Sequence, residues 1–293
     1  MERGNRNGLG AVAVTAGVAG AVGAVGAVAG IGAKHLLRRQ AAAARALIGK
    51  PLGERAPDAD KRYKKRYGDP VQLLVLGDSI AAGLGAEDGS GTLGARLATK
   101  IAKATHRSVD LTTGALVGTE SSQVMAQVEA LPPAYRADVA VLVVGGNDVI
   151  HRVPVAESVK HLTEVVGRLR ELGTPVVVGT CPDLGALRAV PNPLRALGSR
   201  ISRQLAAAQA RAALDAGAHV VSLAKVVGPF FITNPEEMFS LDRFHPSALG
   251  YRRTADALLP SVLLALGVSE TVPFGHRAPA RSGSPGGGAQ PLS

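Results

Sequence analysis

Beyond residue 70 the chain alternates short apolar runs with longer stretches in which apolar residues recur every three or four positions. Val71-Gln-Leu-Leu-Val-Leu76 stops at Gly77, the pattern of a buried strand. Val109–Thr113, Val139–Val144 and Val176–Gly179 repeat it, and His219–Ser222 is a weaker fifth. Val155–Leu172 sets Val159, Leu162, Val166 and Leu169 at helical spacing. Leu194–Ala216 and Ser247–Leu266 read as further helices. Strands alternating with helices predict parallel β-α-β units, and so a three-layer α/β/α sandwich over residues 69–268.

The flanks follow other patterns. Gly8–Ala33 is 26 residues without a charge, built of eight Gly, nine Ala, eight larger aliphatics and one Thr. It is long enough to span a bilayer, but its small residues give it a weak drive to insert. A single N-terminal membrane anchor over residues 1–33 is the first expectation. A cleaved signal peptide competes, because Arg3 and Arg6 precede the segment and Ala27-Val28-Ala29 resembles a cleavage site. A low-complexity tail that does not insert is the third reading. Lys34, Arg38, Arg39, Arg45 and Lys50 outnumber the two preceding arginines, which favours a cytoplasmic C-terminal side and opposes export. Residues 34–68 read as a basic linker whose core, Lys61–Arg66, is solvated or touches anionic lipid. From Ser269 to Ser293 the chain turns to Gly, Pro, Ser and Ala, as disordered tails do.

Charge and composition narrow the partners. The net charge is +10, but residues 1–68 carry 13 Lys/Arg against 4 Asp/Glu, whereas 69–268 carry 18 of each. The basic balance therefore belongs to the N-terminal extension. A neutral central region with few aromatics (five Phe, four Tyr, no Trp) is a poor surface for nucleic acid. One cysteine, Cys181, leaves no intrachain disulfide and no Cys-based zinc site. His35, His106, His161, His219 and His276 show no metal-ligand spacing. Cys181 itself reads as a small buried hydrophobe.

In an open parallel sheet, ligands bind at the carboxyl ends of the strands. After the first run comes Gly77-Asp78-Ser79, and after the second Gly114-Ala-Leu-Val-Gly118-Thr119-Glu120-Ser121. After the third comes Gly145-Gly146-Asn147-Asp148, and before the last helix Asp242-Arg-Phe-His245-Pro246. These parts suffice for acyl transfer. Ser79 is a nucleophile once an imidazole removes its proton. His245 can be that base and later protonate the leaving group, oriented by Asp242 three residues earlier. The Ser79 N–H, the Gly118 N–H and the Asn147 amide are candidate donors to an oxyanion, with Gly114 the alternative to Gly118.

The four blocks together resemble the SGNH (GDSL-type) hydrolases over residues 71–266. That resemblance implies a flavodoxin-like sheet and ester hydrolysis without a metal or other cofactor. It also implies the roles above for Ser79, Gly118, Asn147, Asp242 and His245. Ser79-Ile80 stands where the family often has Ser-Leu or Ser-Tyr. The expected activity is that of a serine esterase or lipase on a small-molecule or lipid ester. An acyltransferase or deacylase of a cell-envelope glycan or lipid, and a silent membrane-tethered binding module, use the same parts. Acyl length falls to the loops Glu87–Thr92, Cys181–Pro193 and Val226–Phe239.

Each block also has a plainer use. Ser79 could cap a helix and Asp78 could bond turn amides. Asp148 suits a helix start, and His151 a pocket wall or the surface. Other catalytic patterns fail on residues. No Gly-x-Ser-x-Gly elbow surrounds Ser79, since position 81 is Ala, and no phosphate loop or His-Glu-x-x-His occurs. Gly83-Leu-Gly85 lacks the third glycine of a dinucleotide fingerprint.

Overall fold

The computed structural model describes residues 32–44, 46–48, 51 and 53–280. Residues 32–44 and 46–48 are helical and form α1. There follow β1 (Arg62–Tyr63), β2 (Pro70–Gly77), α2 (Ser79–Ala82), α3 (Leu93–Thr105), β3 (Ser108–Thr113) and α4 (Val124–Glu129). Next come β4 (Val139–Val143), α5 (Gly146–His151), α6 (Val155–Glu171), β5 (Val176–Gly179), α7 (Leu194–Asp215) and β6 (His219–Val221). The chain closes with α8 (Leu223–Val226), α9 (Gly228–Thr233), α10 (Pro235–Met238), α11 (Ala248–Ala265) and β7 (His276–Arg277). All five strands expected from the apolar runs are present, within two residues at each end.

Among the described residues the sheet has seven strands in the order β1-β3-β2-β4-β5-β6-β7. The inner five are parallel, and the two-residue β1 and β7 pair antiparallel at the edges. From β2 the chain passes to β3 on one side and then to β4 on the other. The switch in winding direction lies at the carboxyl end of β2, where a doubly wound sheet opens its crevice.

Side chains on the strands alternate between two cores, as a period of two requires. Leu73, Val75, Val139, Val141 and Val143 pack with Leu97, Ile101, Tyr251 and Leu258 of α3 and α11. Leu74, Leu76, Ala140, Leu142 and Val144 face Leu162, Val166 and Leu169 of α6 on the other side. Every residue of β4 is buried, so this strand reads as an unbroken apolar run. The result is the three-layer α/β/α sandwich expected from the sequence.

The flanks differ from a plain linker and tail. α1 docks through Gln40, whose Nε2 donates to the Asn192 carbonyl at 2.5 Å and whose Oε1 accepts from the Leu194 N–H at 3.1 Å. Within the basic core of the 34–68 stretch, β1 pairs with β3, and Arg62 makes a two-pronged bond to Asp110 at 2.7 Å on both arms. A solvated run would leave that guanidinium free; here strand register sets it opposite a carboxylate. Residues 269–280 likewise contain β7, so the folded part outlasts Val268. Residues 281–293 lie outside the described residues, as do residues 1–31 and with them nearly all of the expected anchor. Among the described residues no helix is long and apolar enough to cross a membrane.

Candidate active site

The switch point is built from Gly77, Asp78 and Ser79. Gly77 has φ 130°, and a Cβ there would stand 1.9 Å from the Val143 carbonyl oxygen, so only glycine lets β2 run this close to β4. Asp78 caps α2 by accepting the Ile80 N–H at 3.0 Å. The capping job thus falls to Asp78, as expected of a turn carboxylate, and Ser79 keeps its hydroxyl for other work. As the first residue of α2, Ser79 also has an N–H that helix geometry leaves without an intrahelical partner.

The imidazole arrives from the segment before α11. His245 Nε2 lies 3.0 Å from Ser79 Oγ, and its Nδ1 lies 2.5 Å from Asp242 Oδ2. Asp242 Oδ1 accepts from Ser240 Oγ and from the Phe244 and His245 N–H groups at 2.8–2.9 Å. Burial alone would raise its pKa, but these bonds outweigh burial, His245 foremost, and hold the carboxyl down at about 2. Arg243 has φ 55°, a left-handed turn that aims the next two amides back at Asp242. Gly85 gives this loop room, since a Cβ there would meet the Pro246 carbonyl at 2.4 Å and His245 Cβ at 3.0 Å. Tyr251 of α11 donates to the Leu84 carbonyl at 2.6 Å and ties the two sides together.

The oxyanion candidates separate. Asn147, on the first turn of α5, donates through Nδ2 to the Thr119 carbonyl at 2.9 Å and lines the same cavity as Ser79. Gly114 gives its N–H to the Val75 carbonyl at 2.9 Å as the β3 ladder ends. That donor is spent on the strand; Gly118 is the other candidate. It lies in the exposed turn closed by the Thr119 N–H on the Leu116 carbonyl, with φ 87°. Asp148 is buried and accepts the Ser121 N–H, so it fastens the glycine loop to α5. His151 bonds Glu120 at 2.6 Å on the half-exposed rim. Cys181 is fully buried, and burial pushes its thiol well above the ordinary range, as befits a small core residue.

Two residues of this region escaped the sequence reading. Gln127 of α4 accepts the Gly77 N–H at 2.9 Å and donates to the Gly77 carbonyl at 2.8 Å and to Thr119 Oγ1 at 3.2 Å. Gln209 of α7 accepts the Cys181 N–H at 2.7 Å and donates to the Val144 carbonyl at 3.0 Å. Each glutamine satisfies backbone groups that a parallel strand leaves open where its ladder stops. The only signal in sequence is a polar residue on a helix face that should be apolar, which many surface glutamines share.

A cavity opens over Ser79. Its wall comes mainly from Pro182–Leu187, from α8 and α9, and from Phe239 and Phe244. Two of the three loops expected to set acyl length are therefore at the site. The third, Glu87–Thr92, is a turn capped by Asp88 that lies against Ala248 instead. Among the described residues no group of three or more His, Cys, Asp or Glu is placed to hold a metal ion.

Fold and site together define an SGNH-type hydrolase, and comparison with known proteins agrees. Residues 75–253 match the GDSL-like lipase/acylhydrolase family. A GDSL-like esterase of Mycobacterium tuberculosis, Rv1075c, is 39% identical over 269 residues, which cover 87% of this chain and 84% of the relative. Among solved structures, the lipase Lip_vut3 from a goat rumen metagenome superposes with a TM-score of 0.55 at 19% identity. That match covers 67% of this chain and 97% of the lipase. A protein of Slackia heliotrinireducens assigned to the SGNH hydrolases gives 0.50 at 20% identity, covering 66% and 100%. The chain belongs to the GDSL-like lipase/acylhydrolase family and is a hydrolase acting on ester bonds.

Proposed function

We propose that the protein cleaves carboxylic esters through a covalent acyl-serine. The observation that carries this reading is the relay Ser79–His245–Asp242, with 3.0 and 2.5 Å between its members. Ser79 Oγ attacks the ester carbonyl carbon while His245 Nε2 takes its proton. The carbonyl oxygen, now an oxyanion, accepts from the Ser79 N–H, the Gly118 N–H and the second amide hydrogen of Asn147. Collapse breaks the ester C–O bond, and His245 returns the proton to the departing alkoxide. Water then enters and attacks the acyl-serine carbonyl while His245 takes its proton; the bond from the acyl carbon to Ser79 Oγ breaks, His245 returns that proton to Oγ, and the acid leaves. Asp242, kept ionised throughout, holds Nδ1–H and stabilises the imidazolium.

The test is hydrolysis of p-nitrophenyl esters by the full chain beside a folded Ser79→Ala variant. Activity lost by roughly 10³-fold or more in the variant is the expected result. Equal activity in both would overturn the mechanism. His245→Ala should be damaged as severely as Ser79→Ala, because nothing else on the relay takes the Oγ proton. A folded His245→Ala variant that keeps the wild-type rate would remove His245 from its role.

A further inference from the structure

We infer that the protein sets the mouth of its site down on an anionic lipid surface, with α1 and the loops around the cavity as the contacting face. Large apolar side chains are left exposed around that mouth. Leu116 stands in the Gly118 loop, Ile150 on α5, Leu197 on the first turn of α7, Phe230 and Ile232 on α9, and Leu241 beside Asp242. All are in segments at the carboxyl ends of the inner strands, where the cavity opens. Leu241 is 84% exposed and Leu116 62%, a cost in water that contact with lipid removes. Phe231, between exposed Phe230 and Ile232, is buried and lines the cavity, so rim and cavity wall share one element.

α1 gives this face its charge. Leu37, Gln40, Ala41, Ala44 and Ile48, at helical spacing, are its covered positions, whereas Lys34, Leu36, Arg38, Arg39 and Leu47 are exposed. The helix is laid along the rim. Gln40 bonds Asn192 and Leu194, and about two turns on Leu47 lines a groove with Leu241 and Arg243 of the catalytic loop. That groove holds Glu87, Glu236 and Glu237 against Arg188 and Arg243, so the positive excess comes from α1. From Arg3 to Gly53 the chain has seven basic residues and no acidic one, and the uncharged Gly8–Ala33 stretch leads directly into the basic helix. Arg253 lies over the Phe230 ring at 4.9 Å, a cation able to meet a lipid phosphate while the ring enters the apolar layer. The exposed apolar residues come from separate loops. Lipid rearranges around each such side chain, whereas a protein partner needs one close-packed patch.

The chain has no Trp, so a single introduced tryptophan reports only its own surroundings. The experiment uses the full chain as Leu241→Trp, Leu47→Trp and, before the amino end of β2, Tyr67→Trp. Vesicles are of phosphatidylcholine alone or mixed equally with phosphatidylglycerol. All three positions are exposed, and the urea midpoint checks that each variant is folded. With the anionic vesicles, Leu241→Trp and Leu47→Trp should shift their emission to the blue and be quenched by brominated lipid, while Tyr67→Trp does neither. Arg38→Glu with Arg39→Glu, added to Leu241→Trp, should weaken vesicle affinity at least about tenfold. No vesicle binding overturns the inference. So does binding that leaves the Leu241→Trp emission unmoved, as attachment through the N-terminal stretch alone would give, and so does an equal shift at all three positions. An affinity unchanged by the two charge reversals overturns it as well. A Leu241→Trp shift that grows with protein concentration without vesicles assigns the face to a second copy of the chain and overturns it too. The readout is binding rather than turnover, so none of these outcomes touches the acyl-serine mechanism, which Ser79→Ala tests separately.

Discussion

Asn147 has two amide hydrogens, and one is given to the Thr119 carbonyl. That bond fixes the rotamer and leaves the other hydrogen for the oxyanion, so no reorganisation is needed when charge develops. Asn147→Ala is expected to lower kcat by about 10²–10³ with little change in unfolding midpoint. Single-turnover kinetics would check it, and an unchanged rate would remove the amide from the site. Asp78 makes the opposite use of a polar group. Burial, chiefly, pushes its pKa up to about 6 from an ordinary 3.8, against the Ile80 amide, His245 and the Gly146 amide. Between those values the native state holds the proton more tightly than the unfolded chain does. Stability therefore falls as pH rises from about 4 to about 6, and above that it stays lower by on the order of 3 kcal/mol. Asp78→Asn keeps an oxygen for the Ile80 N–H and removes the buried charge. Its gain over wild type in urea midpoint should be larger at pH 7.5 than at pH 4, and a gain equal at both would refute the assignment. Asp242 runs the other way. Its carboxyl, held at about 2, adds stability above about pH 4 that is lost as pH falls toward 2.

At the scale of elements, the site depends on how strand ends are finished. β2 stops two residues before Ser79 and β4 four before Asn147, and at these ends the Gly77 N–H and the Val144 carbonyl are met by Gln127 and Gln209. Gln127→Leu would strand the buried Gly77 N–H, while the Gly77 carbonyl keeps the Leu116 N–H at 3.2 Å and Thr119 Oγ1 keeps the Leu116 carbonyl at 2.8 Å. The expected cost is about 2 kcal/mol by urea unfolding, above an ordinary helix substitution. A loss under about 0.5 kcal/mol would show that the strand end finds other partners. The apolar runs and the Gly-rich strand ends were legible because each encodes a local pattern. The clamps were not, because the need for a glutamine arises only once α4 and α7 are laid across the strand ends.

For the molecule as a whole, α1 extends the hydrolase beyond the family match at residues 75–253. Gln40 holds both the Asn192 carbonyl and the Leu194 N–H, and the segment just before them forms the Pro182–Leu187 wall of the cavity. Gln40→Ala should raise KM for hexanoate roughly two- to tenfold while kcat on acetate stays near wild type. A variant indistinguishable from wild type on both esters would reduce α1 to a passive neighbour. The sequence by itself determined the five central strands and the long helices α6, α7 and α11, the neutral body behind a basic extension, and the four blocks carrying Ser79, Gly118, Asn147, Asp242 and His245. It could do so because hydrophobic period, turn glycines and the Asp-x-x-His spacing are local properties. Only the tertiary structure decided the rest. It turned Arg62 from a linker charge into a strand partner of Asp110, and it spent the Gly114 amide on Val75. It brought His245 across 166 residues to Ser79, and it made one apolar wall from loops far apart in the chain. Those outcomes rest on which surfaces meet when two faces of one sheet are covered, and no single stretch of sequence contains that information.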